Sequence, residues 1–254
     1  MNLNIRFLPI LILTLMAGSV LARGNVLQES VETYALDEGG SISLDNVNGD
    51  VSLEAWEGND VRVEYRIIGD SEKQLDKVSV RVNSDPSHLS IETHYTNEKN
   101  RWGNSDHARV EYELKVPATA RLDGIETVNG DLSIKGMRAE VDAETVNGSI
   151  EARDLYSDAK LGTVNGSIKA WFNRFEDDQR VSIESVNGRL DAYLPDNADV
   201  RIKAETIHGS LKNDFGIEVD KGFVGRDLNG KVGSGSARLS LDTVNGSINI
   251  HRDN

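Results

Sequence analysis

The stretch Thr145-Val146-Asn147-Gly148-Ser149-Ile150 decides how this chain is read. Close copies stand at Thr127-Val128-Asn129-Gly130-Asp131-Leu132, Thr163-Val164-Asn165-Gly166-Ser167-Ile168 and Thr243-Val244-Asn245-Gly246-Ser247-Ile248. Looser ones stand at Asn46-Val47-Asn48-Gly49-Asp50-Val51, Ser185-Val186-Asn187-Gly188-Arg189-Leu190 and Thr206-Ile207-His208-Gly209-Ser210-Leu211. The spacing is 18 residues from Asn129 to Asn147 and again to Asn165, then 22 to Asn187, 21 to His208 and 37 to Asn245. A period near 20 residues is the signature of a solenoid, in which each coil buries its apolar face only against its neighbours. The last gap spans two periods, with a degenerate copy near Leu228-Asn229-Gly230, and the 81 residues from Asn48 to Asn129 mark an insertion.

Asn and Gly tolerate positive φ, so each pair marks a sharp change of direction. Asn-Gly also suits hairpins in an antiparallel meander, but one bend per short period favours stacked coils. The expected corners are Asn48-Gly49, Asn129-Gly130, Asn147-Gly148, Asn165-Gly166, Asn187-Gly188, His208-Gly209 and Asn245-Gly246. Ahead of the corner, Val141, Ala143, Thr145 and Asn147 share one face while Asp142 and Glu144 share the other. This alternation predicts half-buried strands with Thr and Asn on the apolar face. Stacked coils would then align the Asn side chains amide to amide, with a break at His208. The valine before each Asn departs from the alternation. The pattern leaves open whether a bulge turns it inward or it faces a second layer.

Residues 1–22 read as a secretory signal peptide: Arg6, an apolar run from Leu8 to Val20, and the small-residue site Val20-Leu21-Ala22. Cleavage after Ala22 places the mature chain, from Arg23, in the periplasm or the medium of a bacterium, with no stable membrane insertion afterwards. The chain has no cysteine, so an exported fold must hold by packing alone. Its net charge is −14, or −15 once Arg6 is removed with the signal segment. That balance argues against nucleic acid and against docking on anionic lipid. It fits a solvated acidic surface or attraction to cationic partners.

Residues 23–60 hold the first coil, with Ile42, Leu44, Val51 and Leu53 inward. Residues 61–117 change pattern: four alternating runs around Val61–Ile67, Val78–Val82, Leu89–Ile91 and Val110–Val116 predict an inserted antiparallel β-meander. Residues 118–254 resume the regular repeat. The expected architecture is all-β: a β-solenoid of 18–22-residue coils carrying that meander, with 23–254 as one continuous domain.

The Val-Asn-Gly-(Ser/Asp)-Ile coils, the segment with Trp56, the run closing at Val116-Pro117 and the renewed Asn-Gly coils resemble the DUF4097 or toastrack β-solenoid family over about residues 30–250. The resemblance implies an exported, non-enzymatic, adhesin-like repeat domain, linked in some lineages to envelope stress systems. It carries over no catalytic or ligand residues.

The chain lacks His-Glu-x-x-His, Gly-x-Ser-x-Gly and a phosphate-binding Gly-x4-Gly-Lys motif. Gly233-Ser234-Gly235 reads as a turn, and His94 and His107 lack a ligand spacing. No cofactor or metal is expected. Outward carboxylates such as Glu126, Asp142, Glu144, Glu184, Glu205 and Asp242 recur coil by coil, which fits solvation better than a catalytic pair. The stacked threonines would suit ice binding only if they faced outward. Trp56, Trp102 and Trp171 are the best ligand anchors, and Trp102 beside Arg101 is the candidate contact site. The function expected is a non-catalytic binding, adhesin-like or scaffold module of the cell envelope. Its partner would be a protein or another envelope component. The competing expectation is a carbohydrate-active lyase or hydrolase on a β-helix.

Overall fold

The structure is a computed structural model that describes residues 26–96, 108–222 and 225–253. Residues 1–22, expected to be a signal peptide, and the Arg101-Trp102 pair lie outside the described residues. The chain enters through β1 (Val26–Ala35), then β2 (Ser41–Asp45) and β3 (Val51–Trp56). Next come β4 (Asp60–Gly69), a helical turn α1 (Glu72–Leu75), β5 (Val78–Asp85), β6 (His88–Tyr95) and β7 (Arg109–Pro117). Paired strands follow: β8 (Arg121–Asn129) with β9 (Leu132–Lys135), β10 (Val141–Asn147) with β11 (Ile150–Leu155), and β12 (Ala159–Asn165) with β13 (Ile168–Phe172). Then come β14 (Arg180–Asn187) with β15 (Leu190–Pro195), and β16 (Val200–His208) with β17 (Leu211–Asn213). The chain ends with β18 (Asp220–Lys221), β19 (Arg226–Val232), β20 (Ala237–Asn245) and β21 (Ile248–Asp253).

In each coil the hexapeptide joins two sheets. The first strand of a pair ends at Asn, Gly-Ser rounds the corner, and the second strand starts at the Ile or Leu. First strands build an eleven-stranded sheet, β18-β19-β16-β20-β14-β12-β10-β8-β2-β6-β5. Second strands build a ten-stranded sheet, β1-β4-β7-β3-β9-β11-β13-β15-β21-β17. From β2 to β16 and from β3 to β17 all neighbours run parallel, with register shifts at β2/β8, β8/β10 and β11/β13 but matched positions at the corners, so Thr145 lies on Thr163 and Ile150 on Ile168. Between the sheets lies one continuous core, in which Val141, Ala143, Ile150, Ala152 and Leu155 are the buried rungs of a single coil. Burying a side chain such as Ile150 is worth about 1.5–3 kcal/mol, and both neighbouring coils are needed to cover it.

Two expectations about chain order are corrected. The strands of residues 61–117 are not one meander. β5 pairs antiparallel with β6 in the eleven-stranded sheet, while β4 pairs antiparallel with β7 in the ten-stranded one. β6 and β7 each lie parallel to the first coil, on β2 and β3. The alternation in these strands was legible, but it does not say which sheet a strand joins. The supposed coil at Asn229-Gly230 is not a corner. It lies inside β19, which runs antiparallel to β16 and, with the two-residue β18 beyond it, finishes that end of the sheet. The last coil, β20 with β21, instead inserts between β14/β15 and β16/β17.

A candidate binding face on the eleven-stranded sheet

Five of the six positions in the repeat have a contact that explains them. The Thr or Ser is buried, and its hydroxyl donates to a glycine carbonyl of the adjacent coil. Thr145 reaches Gly130 at 3.0 Å, Thr163 reaches Gly148 at 2.9 Å and Thr206 reaches Gly246 at 2.9 Å, with Thr127, Ser185 and Thr243 alike at 3.3–3.4 Å. These threonines face the core, so they present no outward array. The Ser or Asp after glycine accepts from the equivalent backbone N–H one coil on: Ser149 N–H donates to Asp131 Oδ1 at 2.7 Å and Ser167 N–H to Ser149 Oγ at 3.3 Å. The final Ile or Leu is core.

Asn and Gly hold the corner by geometry other than that expected. The Asn side chains form the amide ladder, each Nδ2 donating to the preceding Oδ1 at 2.9–3.0 Å through Asn48, Asn129, Asn147, Asn165, Asn187 and Asn245. The ladder lies in solvent, not on the apolar face, because the chain rounds a convex corner there and turns two successive side chains outward. His208 does not interrupt it. β16 is the last of the parallel strands, so His208 lies beyond Asn245 at the ladder's end.

Positive φ explains only Gly49, at +119°. Gly130, Gly148, Gly166, Gly188, Gly209 and Gly246 are needed because coils touch backbone to backbone. A Cβ on any of them would lie 1.7–2.1 Å from a glycine carbonyl oxygen of the next coil.

The valine has no such reason. Val47, Val128, Val146, Val164, Val186, Val244 and Ile207 point outward and are 37–47% exposed. Among the described residues only Trp56 joins them as an exposed large apolar side chain. The strand order places them in single file across seven coils, from β2 to β16. Six strand spacings of about 4.8 Å make this ridge roughly 29 Å long.

Two residues earlier on each strand runs a second row. The cross-strand register aligns Glu92, Asp45, Glu126, Glu144, Gly162, Glu184, Asp242, Glu205, Asp227 and Asp220. Every one of these positions except Gly162 carries a carboxylate. Like charges directly opposite on neighbouring strands destabilise a sheet. Among the described residues the ion pairs on this row are Lys160 with Glu144 and Lys203 with Glu205, and Lys160 also lies 3.4 Å from Asp142. Desolvation, then the charges of Asp45, Glu144 and Asp142, push the Glu126 carboxyl above its ordinary pKa. Desolvation and then Glu92 push Asp45 the same way.

The ten-stranded face shows what solubility alone requires. Its aligned charges mix the two signs, as in Lys115–Glu54–Lys135 and Glu151–Lys169–Asp191, with isolated like pairs such as Lys135–Arg153 and Glu64–Glu113. Hydrogen bonds from Lys115 and Lys135 hold the Glu54 carboxyl below its ordinary pKa. The carboxylate row of the eleven-stranded sheet carries one sign from Glu92 to Asp220, with Lys160 and Lys203 as its paired cations among the described residues. Together with the valine ridge it lines an open trough of about 730 Å³.

The trough has no catalytic constellation. A glycosidase pair flanks the scissile bond from two sides, at about 5 Å or more. Among the described residues, the carboxylates that line the trough all belong to one face of one sheet. Among the described residues, no three of His, Asp and Glu could hold a metal ion. Of the aromatic anchors, Trp56 and Trp171 have partners within the fold, and Trp102 lies outside the described residues. Trp171 is covered on one face by Arg153 at 3.8 Å and on the other by Tyr193, stacked at 4.4 Å, with His251 next at 4.6 Å. The Nε1–H of Trp56 donates to the Asp60 carbonyl at 2.9 Å. Sequence reasoning missed the ridge, although the recurring valine was its signal.

Among solved structures the chain is similar to the "putative cell adhesion protein" from Clostridium sporogenes, at 16% identity and a TM-score of 0.56, covering 89% of this chain and 100% of that one. That likeness shows a shared fold. A "putative adhesin" from Parabacteroides merdae matches at 10% identity and a TM-score of 0.37, covering 89% of this chain and 96% of that one. No curated protein matches the chain. The Toastrack DUF4097 family profile matches residues 41–251, with the corners and the outward ridge inside the match. The chain belongs to the Toastrack DUF4097 family.

Proposed function

We propose that this protein is an exported, non-catalytic binding module of the bacterial cell envelope, adhesin-like in use, and that the eleven-stranded sheet is its contact face. The observation that carries the reading is the ridge: seven outward β-branched side chains recur where every other repeat position serves the fold. A contiguous exposed apolar row bordered by polar groups is how soluble proteins mark an interaction surface. The cell adhesion name of the Clostridium sporogenes protein and the signal segment of residues 1–22 support the same reading. Envelope stress sensing is one setting for such a module, because a periodic face can report on whatever occupies it.

Site-specific photo-cross-linking in intact cells tests this. A photoreactive residue at Val164 should give cross-linked products in the envelope fraction. The same residue at Glu151, on the ten-stranded sheet, should not. A cytoplasmic protein, or a blank at Val164, would overturn the reading.

A further inference from the structure

We infer that the occupant of this face is an amphipathic α-helix of about 19 residues, laid along the ridge with a cationic flank over the carboxylate row. The inference rests on the reading of this sheet as a contact face and names the chemistry of its partner.

Three features select a helix. The apolar row is one residue wide, bounded by carboxylates on one side and by the Asn ladder on the other. A second sheet packed face to face would need several apolar rows and would bury the carboxylates as well. A helix carries an apolar stripe of matching width. Second, the ridge runs across the strands, so strand addition at a sheet edge cannot use it. A peptide extended along it would repeat its side chains about every 6.7 Å against a rung spacing of about 4.8 Å, whereas a helix turns every 5.4 Å or so. Third, roughly 29 Å of ridge corresponds to about five turns of helix.

Charge selects the flank. The carboxylate row lies about 6.7 Å from the ridge along each strand, within reach of Lys or Arg side chains on a helix 10–12 Å or so across. Among the described residues Glu126, Glu184 and Asp242 form no salt bridge, the last two being met by Ser182 and Ser240 hydroxyls at 2.9 and 2.8 Å. Lys or Arg from a partner would relieve the repulsion that the aligned carboxylates create. The opposite flank meets exposed amides, so it should be neutral and polar. A second copy of this chain fits poorly. Its acidic rows would repel, and a single-file ridge buries well under the roughly 800 Å² per partner of a stable interface. Anionic lipid is repelled in the same way.

The test uses the mature protein and a synthetic 19-residue peptide with a leucine stripe, lysines on one flank and glutamines on the other. The probes beside it are a scrambled peptide of equal composition, spermine, and phosphatidylcholine vesicles. Fluorescence anisotropy should give micromolar binding of the amphipathic peptide, with a gain of helical circular dichroism, and affinity at least tenfold weaker for the scramble and for spermine. The triple variant Val146→Ser, Val164→Ser, Val186→Ser should lose tenfold or more. The pair Glu184→Gln, Asp242→Asn should lose several-fold and flatten the salt dependence, as fewer charges meet across the interface. All these side chains are on the surface, and unchanged thermal melting confirms folded variants. Equal binding of scramble or spermine, an indifferent valine triple, or binding to vesicles in place of the peptide would overturn the inference. If the peptide fails while Val164 still cross-links in cells, the helix is wrong and the contact face stands. If both fail, the contact face falls too.

Discussion

Replacing Gly166 by alanine separates two explanations of the repeated glycine, because they predict opposite signs. Gly166 has no positive φ. If the corner tolerated a side chain, Gly166→Ala would stabilise the protein by about 0.4–1 kcal/mol, through the reduced freedom of the unfolded chain. The structure predicts the reverse. The new Cβ would lie 1.9 Å from Gly148 O, 2.5 Å from Gly148 C and 3.1 Å from Ser149 N. Both obstacles are backbone, so the two coils must part by more than about 1 Å at this corner to reach ordinary contact. The bonds holding it are Gly148 N–H to Asn165 O at 3.1 Å, Ile150 N–H to Ser167 O at 3.0 Å and Thr163 Oγ1 to Gly148 O at 2.9 Å. Losing two of them, at about 0.5–1.5 kcal/mol each, plus overpacking strain of about 1–3 kcal/mol, gives roughly 2–6 kcal/mol of destabilisation. Two controls fix the cause. Gly162 on the same coil has no positive φ and only the flexible Glu144 side chain within 4 Å, at 3.4 Å, so Gly162→Ala should be neutral or stabilising by about 0.5 kcal/mol. Gly39 sits at φ +75° with nothing within 4 Å, so Gly39→Ala should cost about 1–2 kcal/mol from the backbone alone. Urea denaturation of the three variants reads the order directly. A Gly166→Ala midpoint at or above the parent's would refute backbone contact between coils.

Other consequences follow from the same contacts. Asn147→Ala removes two ladder bonds, to Asn129 and from Asn165, but both are in solvent; urea denaturation should show a loss of about 0.5–1.5 kcal/mol. Thr163→Val keeps the buried shape while orphaning the Gly148 carbonyl, so the same assay should show about 1–3 kcal/mol. Glu126→Gln should raise the thermal midpoint at pH 7. The folded-state pKa of Glu126 is raised, so ionising it opposes folding above that pKa, and the variant's advantage should vanish as pH falls below the ordinary carboxylate value. Gln at Glu54 should act in the opposite sense, lowering the midpoint at pH 7, because Lys115 and Lys135 favour the charged form there.

How much of this was legible depended on what repetition can encode. The period gave the coils, and the alternation gave the buried rungs, because stacking copies at one register aligns like with like. Corner glycine was legible as a requirement but not as a mechanism. Positive φ and close approach both select glycine, and only the neighbouring coil's Gly148 carbonyl distinguishes them. The carboxylate row was visible residue by residue as solvation. Its single sign appears only when strands from opposite ends of the insertion, such as Asp45 and Glu126, are placed side by side.

Spatial order was the least legible property, yet one residue carried a trace of it. Chain order puts the His208 copy inside the array and the Asn245 copy last, whereas the structure exchanges them. An interior rung of the ladder must both donate through Nδ2 and accept through Oδ1, as Asn147 and Asn187 do. An end rung is free of one of those demands. His208 meets its neighbour through the main chain, its carbonyl accepting from Gly246 N–H at 3.0 Å, and the antiparallel β19 closes the sheet beyond it. A final copy with the full Thr243-Val244-Asn245-Gly246-Ser247-Ile248 pattern must then lie between two coils, not at the edge. Departure at the Asn position therefore marks where the stack ends, while the looser Ser185 copy, which keeps Asn187, lies inside it. Terminal repeats are atypical because they have one neighbour.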